Sequence, residues 1–322
     1  MKRWLVTLSL IFTFATAQTA VAAQPPQGVV RTLADASGTP CHNPEGIVAS
    51  PSGTLYTAGL SGNVCTYTLD GDLTRVIPVA PGHALLGELY VPAKGIYIAD
   101  NNGDFSGGRV VLLDPRSGAV SLIAGGFAAP NAITQSHRGT LFVSDSFAGA
   151  IYNVDPNGGG KALWKADPLL VPHGTPAFGA NGVAFDRTES FLYVANTADD
   201  RILRIAVNAD GSAGAITIFA DGAALNAATG TTGALDGADG IAFDVRGDLY
   251  VCANQANEIQ VLSPAGALVA RYRGTGADAM DFPASPIFHE KALYIANLAF
   301  ATPGAGKVSV LGVPFTGAPI AH

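Results

Sequence analysis

Charged side chains are scarce in this 322-residue chain, at 13% of the total against 48% hydrophobic residues. No run or stripe of lysine and arginine interrupts the formal charge of −7, so nucleic acid has no electrostatic footing here. Helical periodicity is missing from the mature region, which argues against an α or α/β fold. No shift in composition marks a domain boundary, so the length is read as one domain rather than two. Cysteine is nearly absent. Cys41, Cys65 and Cys252 show no zinc-site spacing, and their odd number leaves at least one unpaired within the chain. A Cys41–Cys65 bridge suits an exported protein, although spacing alone does not establish it. Cys252 stands in an apolar run and reads as a small buried hydrophobe.

The N-terminus has the pattern of an export signal. Lys2 and Arg3 precede an apolar stretch from Trp4 to Ala17, and Ala20 and Ala22 offer an A-x-A cleavage site. The apolar stretch is shorter than the ~20 residues a membrane-spanning helix needs. The expectation is a signal peptide over residues 1–23, a mature domain over 24–322, periplasmic or secreted localisation, and no membrane attachment after cleavage.

What the chain does contain is a repeat. Leu55-Tyr56-Thr57-Ala58 returns as Ile96-Tyr97-Ile98-Ala99, Leu141-Phe142-Val143-Ser144, Leu192-Tyr193-Val194-Ala195, Leu249-Tyr250-Val251-Cys252 and Leu293-Tyr294-Ile295-Ala296. The copies lie roughly 40–60 residues apart, room for four short strands each, and 39 glycines supply the turns. Six copies predict a six-bladed, all-β propeller. The last copy lacks an obvious outer strand, and Val29–Leu33 can supply it, joining the chain ends and removing an exposed edge. Asp100, Asp145, Asn196, Asn254 and Asn297 near the ends of second strands read as side chains satisfying turn amides.

Ten residues before each Leu-Tyr copy the inner strand begins, at Glu45, Leu86, Asn131, Asp239 and Pro283; blade 4 needs one residue more and gives Asn181. Inner strands surround the axis, so two carboxylates and two amides should converge there. Buried like charges oppose each other unless a cation joins them. An all-oxygen set suits Ca²⁺, Mg²⁺ or Mn²⁺ less readily, and Zn²⁺ least, since no His or Cys shares the ring.

With these motifs, Glu45-Gly46, Asn131, Asn181-Gly182 and Asp239-Gly240, the chain resembles the regucalcin (senescence marker protein) and gluconolactonase family, and more distantly diisopropyl fluorophosphatase and the paraoxonases. The resemblance implies that Glu45, Asn181 and Asp239 bind the metal, that Asn131 binds metal or substrate, and that Asp239 is also the base or nucleophile. It implies a metal-dependent hydrolase of a lactone or related ester acting on a small molecule. A non-catalytic binding propeller with a structural calcium is the competing reading. Sugar-lactone hydrolases of the family place an arginine two residues before the Asn131 position; Ala129 stands here, and with Leu86 and Pro283 it points to a less polar substrate. The longest inserts, residues 101–108, 170–180, 221–238 and 298–306, should overhang the ring and carry specificity. His173 in one of them is a candidate substrate contact, against the alternative of a solvated loop histidine.

Overall fold

Twenty-four strands fold as six four-stranded antiparallel sheets in the computed structural model, which describes residues 25–319. The expected signal peptide lies outside the described residues. Inner strands are Pro44–Ala49, Ala84–Val91, Pro130–Gln135, Ala180–Phe185, Ala238–Phe243 and Pro283–His289. Each is followed by the strand carrying the Leu-Tyr repeat, whose residues are buried almost without exception because they are covered on both sheet faces by neighbouring blades. Outer strands such as Lys161–Ala166 and Leu268–Tyr272 are largely exposed or half-buried.

The ring closes as the sequence predicts. Val30–Asp35 pairs antiparallel with Lys307–Gly312 and completes the sheet of blade 6. Val30 packs in one cluster with Cys252, Ile259, Ile295 and Leu311, so the first strand joins blades 5 and 6 through the core. Cys41 and Cys65 form a disulfide, and Cys252 is a fully buried free thiol.

One element departs from the all-strand expectation: the insert after blade 4 contains a helix, Gly222–Thr229. The Asp221 side chain caps it through the Ala224 amide, and Gly230 ends it at φ 67°. Its hydrophobic pattern is too short to read in the sequence. Among the described residues no helix is long and apolar enough to cross a membrane.

Candidate metal centre

Every inner strand breaks its pairing register near its start. The irregularities fall between Pro44 and Gly46, Leu85 and Glu88, Pro130 and Ile133, Ala180 and Val183, Ala238 and Ile241, and Pro283 and Ser285. A bulge re-aims the side chain it carries. Here the re-aimed residues are Glu45, Leu86, Asn131, Asn181, Asp239 and, in blade 6, Ala284. Pro283, the blade 6 residue expected from counting back, is therefore one position out, because the hairpin turn of that blade is one residue shorter.

The glycines that follow ring residues have a packing reason. A side chain at Gly46, Gly87, Gly182 or Gly240 would collide with the carbonyl oxygen of the ring residue on the next blade: Leu86, Asn131, Asp239 and Ala284 respectively. Bare backbone at these points lets consecutive inner strands meet around the axis.

Glu45, Asn131, Asn181 and Asp239 all line one cavity of about 40 Å³. They are 3–4% exposed. Glu45 Oε2 and Asp239 Oδ1 are buried without a hydrogen-bond partner, whereas Asp239 Oδ2 accepts from Asn254 Nδ2 at 2.9 Å. Burial, with the charges of Asp239 and then Glu88 added, raises the Glu45 carboxyl well above the usual carboxylate range. Burial likewise pushes Asp239 up to about 7, against the pull of the hydrogen bond from Asn254. The amides are oriented from behind. Asn131 Nδ2 donates to Ser146 Oγ at 3.2 Å and Asn181 Nδ2 to Thr197 Oγ1 at 2.9 Å, and both hydroxyls pass the bond on to the next blade's backbone, at Ala180 O and Ala238 O.

Among the described residues no group of three or more His, Cys, Asp and Glu side chains gathers to hold an ion. The ring offers something different: two acids with orphaned oxygens and two amides whose nitrogen ends are engaged by hydroxyls. Such a set fits a hard divalent cation, for which amide and carboxylate oxygens are ordinary ligands.

Asn254 belongs to this site rather than to the turn positions. Asp100, Asp145, Asn196 and Asn297 face Leu85, Pro130, Ala180 and Pro283 across their hairpins, while in blade 5 the facing residue is Ala253. Asn254 is one residue further on, in register with Ser146 and Thr197. A polar residue at that offset in four successive blades, Asn101, Ser146, Thr197 and Asn254, was the signal that could have found it. The turn reading holds for Asp145, which accepts from the amides of Ala128, Ala129 and Ala148.

The structure does not bring His173 to the cavity. It is exposed, and Asp199 accepts from its backbone amide at 3.0 Å and pairs with its Nδ1 at 2.8 Å. The inserts instead place Phe105, Phe178 and Phe300 over the ring, joined by Phe282 from the connection between blades 5 and 6. A larger cavity, about 600 Å³, opens at the other mouth of the axis between residues such as Gln135, Phe185, Phe243 and Phe288, and excludes Glu45 and Asp239.

Fold and site together define a six-bladed propeller with an acid-and-amide cup at one mouth of its axis. Residues 162–298, which carry Asn181 and Asp239, match the SMP-30/Gluconolactonase/LRE-like region, in keeping with the family resemblance read from the sequence. No curated protein matches the chain. Similar solved structures include a calcium-binding protein, regucalcin, from Agrobacterium tumefaciens (19% identity, 91% of this chain and 97% of that one, TM-score 0.66). A gluconolactonase from Xanthomonas campestris (19%, 88% and 89%, 0.64) and a virginiamycin B lyase from Staphylococcus aureus (16%, 88% and 99%, 0.59) share the architecture. Identities this low speak for the fold alone.

Proposed function

We propose that this protein is an exported, divalent-cation-dependent hydrolase of lactones or related esters, with Ca²⁺ the ion its ligand set suits best. The observation that carries the reading is the pair of buried acids with orphaned oxygens in one cup with two oriented amides. The family match over residues 162–298 supports a lactonase-type hydrolase, and the apparent signal at residues 1–23 supports periplasmic or secreted localisation.

Glu45, Asn131, Asn181 and Asp239 would hold the ion. When bound, it supplies Lewis-acid polarisation of the substrate carbonyl and offsets the two buried charges. Ser146 and Thr197 keep the amides facing the cup. Asn254 fixes one oxygen of Asp239 and leaves Oδ1 to take a proton from the attacking water, or to attack the carbonyl carbon itself. Partial closure by aromatic residues keeps bulk water from the reacting atoms.

The test is a panel of lactones and esters assayed with Ca²⁺ and with chelator. Turnover should require the ion, and Asp239→Asn should lower it at least ~100-fold with its melting curve cooperative. Turnover that survives chelator or Asp239→Asn overturns the mechanism. Calcium binding by calorimetry with no turnover of any ester or lactone would favour the non-catalytic propeller with a structural ion.

A further inference from the structure

We infer that the substrate of this site carries an aromatic or other flat apolar group, held between two phenylalanine walls, rather than the hydroxyl-rich ring of a sugar acid. The inference rests on the hydrolase reading and specifies its substrate class.

One wall is Phe105, Phe147 and Phe178, with ring centroids 5.3–6.2 Å apart. The other is Phe282 stacked on Phe300 at 5.4 Å and 25°. Four of the five line the same cavity as Glu45 and Asp239. Phe147 and Phe300 are 43% and 46% exposed, leaving aromatic surface in water at the mouth. Single exposed rings need no explanation, but two that continue walls leading to buried acids form a surface suited to an apolar partner.

The backbone gives a second, independent observation. Phe105 and Phe282 both sit in the left-handed region, at φ 55° and 54°. A bulky side chain is disfavoured there, and the chain mostly uses glycine at such φ, although Leu235, Glu189 and Glu290 adopt it too, away from this cavity. Each phenylalanine is nonetheless fixed in place, Phe105 by its amide on Asn102 O and Phe282 by its amide on Asn257 Oδ1. Two of these strained positions present their rings at the one cavity and extend its aromatic walls.

Chemistry decides between substrate classes. A sugar acid lactone brings several hydroxyls, each needing a partner once it leaves water. Beyond the four ring residues the polar lining is limited to Thr197, whose hydroxyl is engaged, and Asn254, whose Oδ1 is unpartnered; the rest is Leu60, Leu86, Leu298, Pro176 and the phenylalanines, and one N–H of each ring amide is already used. A phenyl or alkyl substituent loses nothing there and stacks on both walls.

The experiment compares a phenyl-substituted δ-lactone, the unsubstituted δ-lactone and a hexonic acid δ-lactone on the Ca²⁺-loaded protein. In parallel, binding of the phenyl-substituted lactam, which does not turn over, is measured by calorimetry. The phenyl lactone should exceed the hexonic lactone in kcat/KM by about 100-fold. Phe300→Ser, at an exposed position that leaves the core untouched, should weaken lactam binding about tenfold and raise KM for the phenyl lactone by a clearly larger factor than KM for the unsubstituted lactone. Equal or better turnover of the hexonic lactone overturns the inference and leaves the hydrolase reading standing. Absence of all turnover overturns the hydrolase reading; the lactam then decides the walls, since undetectable binding, or binding indifferent to Phe300→Ser, refutes them.

Discussion

Glu88 holds one carboxylate oxygen against the Ala58 amide at 3.1 Å and has no partner for the other. Burial pushes its carboxyl up to about 8. In the unfolded chain it ionises near ~4.3, so between about 4.5 and 8 the folded state keeps a proton that the unfolded state has released. Stability from this residue is therefore present at low pH and is lost as pH rises through 8. Glu88→Gln should flatten that slope: denaturant midpoints measured from pH 5 to 8 in chelator should fall less in the variant than in the parent chain. A slope unchanged by the substitution would show that the fall comes from Glu45 and Asp239. At this scale the sequence was partly readable. Glu45, Asn131, Asn181 and Asp239 were found because blade repetition marks their offset. Asn254 was misplaced by one residue and Glu88 was passed over, because whether a polar side chain meets an acid, an amide or nothing depends on the neighbouring blade.

Inner strands are where the blades touch, and their glycines set how closely. Gly182→Ala would drive a methyl into the Asp239 carbonyl oxygen, an obstacle that cannot rotate away. The expected cost is about 2 kcal/mol, read as a shift in denaturant midpoint, together with weaker Ca²⁺ binding as Asn181 and Asp239 are displaced. Gly125→Ala, where a methyl meets nothing within 4 Å, serves as the near-neutral comparison. The sequence offers the motif Asn-Gly or Asp-Gly as part of a candidate metal site. Its second residue turns out to be a packing device between consecutive blades. The inserts show the opposite case. Their length and face were foreseen, but the helix at Gly222–Thr229 was not. That insert is held from outside itself: Arg271 donates to the carbonyls of Thr232 and Gly233 and pairs with buried Glu258, and Gln260 binds both Leu235 N and Gly233 O. Local sequence carries little of this, because the partners lie on the third and outer strands of blade 5.

At the scale of the molecule, closure rests on one strand. Removing residues through 36 takes away Val30–Asp35, opens the Lys307–Gly312 edge and withdraws Val30 from its core cluster. Such a chain should melt roughly 10 °C or more below one beginning at residue 25, and should aggregate through the freed edge in size-exclusion chromatography. Equal melting points would show that the last blade stands without its outer strand. The sequence by itself determined the number of blades, the strand order, the shared closing sheet and the offset of the acids and amides. It could do so because blades, strands and offsets repeat, a signal carried along the chain, and the closing sheet shows as the one copy in which the repeat is incomplete. Tertiary structure alone decided which residues meet across blades: Asn254 on Asp239, the hydroxyls behind the amides, Ala284 in place of Pro283, and four phenylalanines from separate loops lining one cup. Those contacts join segments with no periodic relation to one another, so only the closed ring brings them within reach.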